Sequence, residues 1–344
     1  MKILISKINQ IGDMSFVLPL ATLIKRHHPN WKVYFLGQSF NKCLIDYYAD
    51  ADGFVDWTVL QQLTTEEKIT YLKNFYFDAI LHIHPNKTVA KLAKQSKIPL
   101  RVGTRNRFFH WWYCNRLITL SRKKSDLHEA QLDCFFLKAL KLPYQYTLAE
   151  LAACYHYKNI PLLPKAAAFL EANKFNLIIH PLTRGRHIEW PLKHYAQLIQ
   201  KLSPDNFNII ITGKLDEAEE IEKNLLSAVK QLPHIKSSVG KLNLAELLSL
   251  IHHTQGLVAS STGPIHLAAT AGINTWGLYA PIKPFDAGRW GPIGKRVKVF
   301  SLAGPCDWCR DCRRCRCVGE ITVEQIYQSI LQANVSLSHE QMND

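Results

Sequence analysis

Short apolar runs alternate with stretches of helical spacing along this chain, and they do so twice. In the first half the runs at 2–5, 32–36, 79–83, 100–102 and 117–119 are strand-length. Residues 16–28 carry apolar side chains at helical spacing and stop at His27-His28-Pro29. In the second half, expected strands at 176–180, 207–212, 256–260, 275–279 and 297–300 alternate with expected helices near 192–202, 215–231, 243–252 and 264–271. Strands separated by helices pair through crossovers, which gives a parallel sheet covered on both faces. At 344 residues the chain exceeds one ordinary core. The expectation is an α/β fold of two Rossmann-like, doubly wound domains, 1–160 and 161–325, then a C-terminal helix and tail, 326–344. Residues 158–164 hold two prolines, break both periods and read as linker. Ligands of such sheets bind beyond the carboxyl ends of the strands. Two domains facing across a cleft would therefore form the active site there.

Composition narrows the partners. The apolar fraction of 47% and charged fraction of 20% are those of a globular protein, not a disordered or fibrous one. No apolar run approaches the roughly 18 residues a membrane span needs. The start, Met1-Lys2-Ile3-Leu4-Ile5-Ser6-Lys7, lacks the pattern of a signal peptide, so a cytoplasmic protein is expected. The formal charge of +14 calls for an anionic partner: nucleic acid, an anionic membrane surface or a phosphorylated substrate.

Four segments carry chemistry. The first is Ile11-Gly12-Asp13, between a strand and its helix. Asp13 could cap the helix or act as a catalytic carboxylate, and the two are compatible. The second runs Ser261-Thr262-Gly263-Pro264-Ile265-His266 after an apolar strand. Small hydroxyl residues, a glycine and an early proline open a helix whose free N–H groups suit phosphate. The third is the loop carrying Thr183, Arg184, Arg186 and His187 before Trp190-Pro191. Arginines in a strand-end loop suit a diphosphate, because guanidinium is a permanently charged bidentate donor. The fourth is Thr212-Gly213-Lys214-Leu215-Asp216-Glu217, where an acid past a strand end could accept from a ribose hydroxyl or merely cap a helix.

Gly12-Asp13 with Pro19, Trp190-Pro191, Thr212-Gly213, Thr262-Gly263-Pro264 with His266 and Leu267-Ala268-Ala269, and Gly277-Leu278-Tyr279 with Arg289-Trp290-Gly291-Pro292 occur in a specific order. In these the chain resembles glycosyltransferase family 9, which includes the lipopolysaccharide heptosyltransferases of GT-B architecture. The resemblance implies inverting transfer of a heptose from an ADP-linked donor to the lipopolysaccharide inner core. It implies Asp13 as general base. Ser261, Thr262, Gly263 and His266, with Thr183, Arg184 and Arg186, would hold the donor diphosphate, and Glu217 the ribose. Gly12, Arg101, Arg105 and Arg107 would meet the acceptor. Two positions depart from the family pattern: Ser261 stands where Asp is frequent, and Ile188 where Lys or Arg is frequent. No metal or other cofactor is expected. The implied partners are a nucleotide-sugar donor, a phosphorylated lipid A or core acceptor and the inner face of the cytoplasmic membrane, for a peripheral, monomeric protein that binds no nucleic acid.

Other motifs weigh less. Asp50-Ala51-Asp52 reads as a turn. His82 and His84 alternate on one strand face without an evident third ligand. Cys306, Cys309, Cys312, Cys315 and Cys317 have spacing that can bind zinc or an iron–sulfur cluster, and the four arginines among them would offset thiolate charge and lower thiol pKa, yet bound metal is not the preferred reading. Cys43, Cys114, Cys134 and Cys154 read as reduced thiols. Residues 101–124 hold seven Lys/Arg, no Asp/Glu, and the run Phe108-Phe109-His110-Trp111-Trp112-Tyr113. That stretch suits an anionic bilayer, single-stranded nucleic acid or burial in a core. The alternative to the enzyme is a basic nucleic-acid-binding or other non-catalytic nucleotide-binding protein. A dinucleotide oxidoreductase is set aside, because no Gly-x-Gly-x-x-Gly turn follows the first strand.

Overall fold

All twelve strands run parallel to their sheet neighbours, in a computed structural model that describes residues 1–183, 188–283, 285–302 and 317–343. The chain divides into two units, Met1–Asn159 and Ile160–Asp344. The first holds β1 (Lys2–Ser6), β2 (Lys32–Gly37), β3 (Gly53–Asp56), β4 (Ala79–His82), β5 (Leu100–Thr104) and β6 (Arg116–Ile118) in the order β3-β2-β1-β4-β5-β6. The second holds β7 (Phe175–His180), β8 (Phe207–Ile211), β9 (Ile235–Ser237), β10 (Gly256–Ser260), β11 (Asn274–Leu278) and β12 (Val297–Phe300) in the order β12-β11-β10-β7-β8-β9. The two orders are the same path counted from each unit's first strand. Each reverses direction between its first and fourth strands, β1 and β4 or β7 and β10. That reversal is where a doubly wound sheet opens a crevice for a ligand.

Apolar runs with no polar alternation make the central strands. Ile3, Leu4 and Ile5 of β1 and Ile209, Ile210 and Ile211 of β8 are wholly buried, as strands covered on both faces require. The sequence showed no run for β9, because Ile235-Lys236-Ser237 is a short, half-buried edge defined by its pairing with β8. The helix expected over 215–231 is instead a series: a 3₁₀ turn at Leu215–Glu217, then short α, π and α segments to Val229.

Helix Ile11–His27 follows β1 and is buried along most of its length, with Pro19 inside it. A proline there cannot donate to the carbonyl four residues back. Tyr155 supplies the missing donor: its hydroxyl reaches the Ser15 carbonyl at 3.1 Å. Helix Val323–Asn343 falls within the second unit. Ile326 and Ile330 are wholly buried in that unit's core, and the Trp276 indole donates to Ser329 at 2.9 Å.

Candidate functional site

In the first unit the reversal between β1 and β4 collects charge. Lys7 follows β1 directly and is 2% exposed. Its ammonium lies 2.9 Å from Asp133 and 4.0 Å from Glu129. Arg122 closes the group, 2.5 Å from Glu129 and 2.7 Å from Asp133. Glu129 and Asp133 are one turn apart on helix Glu129–Cys134, so both face the same two cations. Isolated, any of these ions would be too costly to bury. Paired and hydrogen-bonded, they compensate one another.

Asp13 sits beside this quartet. It is the third residue of helix Ile11–His27; Gln10 is the N-cap, which corrects the reading of Asp13 as the cap itself. The Gln10 backbone N–H and the Asn9 side chain lie near its carboxylate and pull its pKa down. Burial raises its pKa above the ordinary carboxylate value, against the pull of Lys7; Glu129 adds to the rise. Burial opposes the Lys7 charge as well, but the Asp133, Glu129 and Asp13 carboxylates outweigh it and lift the ammonium's pKa. The site thus holds a fixed cation next to a carboxylate made more basic than usual. Gly12 is buried in the same turn, its carbonyl accepting from the Ser15 hydroxyl at 2.7 Å.

His84, two residues past β4, is pushed down to about 4 by burial and by Lys7, Arg122 and Arg107. It is neutral at pH 7. His82 is buried, pushed down to about 3, and meets His110 at a ring separation of 5.8 Å. Among the described residues no three His, Cys, Asp or Glu side chains gather as metal ligands.

The arginines expected at the acceptor divide. Arg101 is spent on the chain's own backbone, donating to the carbonyls of Ile98 and Tyr113. Those bonds tie β5 to the segments on either side of it. Arg105 and Arg107 are exposed, and Arg107 is close enough to depress both His84 and His110.

In the second unit the reversal between β7 and β10 is built of backbone, hydroxyls and rings. Thr262 is the N-cap of helix Gly263–Ala271 and makes no side-chain cap bond. Gly263 is the first helical residue and Pro264 the second, one place later than expected. The first turn of a helix leaves its N–H groups without partners in the helix, and Pro264 has none to offer, so the Thr262, Gly263 and Ile265 amides have no acceptor within the helix. His266 is buried in that turn. Ser261 reaches the Tyr279 hydroxyl, which donates to the Trp290 carbonyl at 3.1 Å. Tyr279 thereby ties the end of β11 to the Arg289-Trp290-Gly291-Pro292 turn. Farther along that turn, a Cβ on Gly294 would lie 2.1 Å from the Ala269 carbonyl, so only glycine lets the segment pack on the helix.

After β7, His180 bonds Thr212 at 2.8 Å and is pushed down to about 4 by burial. Thr183 gives both its backbone N–H and its hydroxyl to the Glu189 carboxylate. Those bonds make Thr183 a loop anchor. Trp190, wholly buried, joins three elements: its amide donates to Ser260 at 3.1 Å and its indole to the Ile321 carbonyl at 2.9 Å. Glu217 is buried and accepts from the Lys214 N–H at 2.8 Å, closing its own turn. Arg184 and Arg186 lie outside the described residues, as do Cys306, Cys309, Cys312 and Cys315. Cys317 is buried in the second unit's core. Cys114, Cys134 and Cys154 are free and buried, and Cys43 is free and half-buried.

Sequence reasoning missed Lys7, Arg122, Glu129, Asp133 and Glu189. A usable signal existed: Lys7 ends an apolar strand, and Asp133 sits among Leu132, Cys134 and Phe135. A charge embedded in an apolar run needs a buried partner.

Comparison with known proteins agrees with this architecture. The model of glycosyltransferase family 9 (heptosyltransferase) matches residues 69–317. The lipopolysaccharide core heptosyltransferase OpsX of Haemophilus influenzae is 24% identical over 313 residues, covering 86% of this chain and 84% of its own length. The solved ADP-heptose lipopolysaccharide heptosyltransferase II of E. coli superposes with a TM-score of 0.74 at 16% identity, over 98% of this chain and 100% of its own. An E. coli heptosyltransferase solved with ADP gives 0.72 at 16% identity, over 97% and 100%.

Proposed function

The chain belongs to glycosyltransferase family 9, and from that premise we propose that it moves a heptose from an ADP-linked donor onto the inner core of lipopolysaccharide, with inversion and with Asp13 as general base. The observation that carries the proposal is the setting of Asp13. It is a carboxylate at a strand-order reversal, made more basic by burial and held beside the Lys7 cation. A general base works best when its pKa is drawn toward the working pH while it stays ionised.

The chemistry balances without further groups. An acceptor hydroxyl gives its proton to Asp13 as its oxygen attacks the anomeric carbon. The bond from that carbon to the diphosphate breaks, and the electron pair leaves on the nucleoside diphosphate. Attack from the face opposite the leaving group inverts the centre. The open amides of helix Gly263–Ala271 and its dipole favour the departing anion. The ADP carried by the E. coli relative of the same fold supports the nucleotide, and the naming of OpsX as a lipopolysaccharide core enzyme supports the acceptor. Arg105 and Arg107 would meet acceptor phosphates. Among the described residues no helix is long and apolar enough to cross a membrane, and a lipid-linked acceptor suits a protein working on the inner face of the cytoplasmic membrane.

The test is a donor titration followed by turnover. ADP-heptose should bind the full chain, and a heptose-free core acceptor should gain one heptose with inverted configuration. Failure to bind any nucleoside diphosphate sugar would remove the donor assignment. Binding of ADP-heptose with transfer unaffected in Asp13→Asn would remove Asp13 as the base.

A further inference from the structure

The formal charge of this protein is concentrated in one place. Residues 79–125 contain eleven Lys and Arg and no Asp or Glu. The rest of the first unit holds eleven basic and twelve acidic residues, so the excess of the unit comes from this span alone. The fold makes the span a surface. Lys87, Lys91 and Lys94 stand at spacings of four and three on helix Lys87–Gln95, all exposed, while Val89, Ala90, Leu92 and Ala93 bury the opposite side. That helix packs against the short helix His110–Tyr113, and Lys94 donates to the Trp112 carbonyl at 2.8 Å.

Beside the lysine face stand three large apolar side chains in water. Phe108 is 77% exposed, Trp111 55% and Trp112 53%. Their base is rigid. His110, between them in sequence, is wholly buried and accepts the Thr104 N–H at 2.9 Å. A Cβ on Gly103 would lie 2.7 Å from the His110 ring, so β5 packs directly on it. Exposed aromatics fixed on a rigid turn, and ringed by cations, are the composition of an interfacial anchor rather than of a solvated loop.

We infer that the Phe108–Trp112 turn and the lysine face of helix Lys87–Gln95 dock the first unit onto an anionic phospholipid bilayer, the rings entering the headgroup region and the lysines meeting the lipid charge. The inference deepens the proposed function, because it rests on a lipid-linked acceptor for its purpose, but its observations are independent of the donor site. Single-stranded nucleic acid fits the geometry less well. Base stacking needs open ring faces in series. Here Phe108 and Trp112 meet edge to face at 4.2 Å and 65°, and the Arg105 guanidinium lies 5.7 Å over Trp111. The three rings make a wedge, not a ladder. Arg107, at the edge of the turn, also depresses His84, which Lys7 and Arg122 depress too.

The experiment is co-sedimentation of the full chain with vesicles of phosphatidylglycerol and phosphatidylcholine against vesicles of phosphatidylcholine alone. The wild type should partition onto the anionic vesicles only. Lys87→Gln/Lys91→Gln/Lys94→Gln should weaken that partition on the order of a hundredfold at low salt. Trp111→Ser/Trp112→Ser should weaken it by at least roughly tenfold. Brominated lipid should quench the wild-type indole emission more than that of the double variant. Both variants alter exposed side chains only, so their melting transitions and ADP affinity should match the wild type, which separates lost docking from lost folding. A wild type that ignores anionic vesicles, or variants that bind them as well as it does, would overturn the inference. So would tighter binding of a single-stranded oligonucleotide, lost in the same variants. Failure of donor binding with vesicle binding intact would instead strike the proposed reaction and leave the docking surface standing.

Discussion

The two strand-order reversals share a topology and differ in material. Between β1 and β4 the chain sets ionisable side chains: Lys7, Asp13, His84, and the Arg122–Glu129–Asp133 support. Between β7 and β10 it sets backbone amides, hydroxyls and rings: Thr262, Gly263, Ser261, Tyr279 and Trp190. Side-chain charge can be tuned by burial and by neighbours, so it suits a group that must take up a proton. Backbone amides cannot titrate, so they suit an anion that must be held while its charge grows. Under the proposed reaction one sheet topology would serve two tasks, and the residues at its strand ends would decide which.

If the first reversal is the proton-transfer side, Asp13→Asn should give the largest effect of any single change. The amide keeps the shape and cannot accept the proton. Turnover should fall by roughly 10²–10⁴-fold while ADP affinity stays within about twofold, measured by steady-state kinetics and calorimetry. An equal loss in both would erase the division of labour between the two sites.

Lys7→Met tests the support. It removes one cation from the buried quartet and leaves Asp133 to Arg122 alone. Loss of one partner of a buried pair costs about 3–5 kcal/mol, which urea unfolding would read. Kinetics adds a second reading with a definite sign. As the proposed base Asp13 would have to be ionised to act, and its pKa lies above the ordinary carboxylate value. Lys7 holds it down, so without Lys7 the acid limb of the pH–rate profile should move to higher pH. A limb that stays in place would reduce Lys7 to a folding role.

Each reversal also buries a neutral histidine, His82 at about 3 and His180 at about 4. Both are depressed below the free value, so the unfolded chain binds protons that the folded chain refuses. Stability is full above about pH 6.5 and falls as pH drops through the window toward those values. At pH 5 the loss should reach roughly 2 kcal/mol for each residue, seen as a lower urea midpoint than at pH 7. His82→Asn and His180→Asn should each flatten the slope by a similar share, since the two sites are alike in this respect. A slope unchanged in both variants would assign the acid sensitivity to the carboxylates.

The two sites differed equally in how far the sequence revealed them. The second was legible, because the helix start at 261–266 is contiguous and its role is local: a strand, small residues, an early proline, a helix. The first was legible only at Asp13. Its partners come from residues 7, 84, 122, 129 and 133, which meet because β1 lies beside β4 and helix Glu129–Cys134 packs against helix Ile11–His27. Contacts that distant leave no periodic trace. The pair of parallel sheets was readable from apolar runs, whereas β9 was not, since an edge strand is made by its neighbour. The bonds that Thr183 and Arg101 make within the fold were not legible for one reason: residue type shows which bonds a side chain can make and not which are already made.

The smallest expected effect bears on the second site. Tyr279→Phe removes one hydroxyl, which donates to the Trp290 carbonyl and meets Ser261. The loss of one hydrogen bond costs about 0.5–1.5 kcal/mol, so the melting point should fall modestly. The donor would touch none of the removed atoms if the backbone amides of helix Gly263–Ala271 do the holding. ADP affinity should then drop only a few-fold, through a loosened 289–292 turn, and turnover at saturating donor should be unchanged. A drop in affinity as large as that from His266→Ala would mean that the Tyr279–Ser261 pair itself meets the nucleotide. The second site would then depend on side chains as the first does, and the contrast between the two reversals would be one of degree.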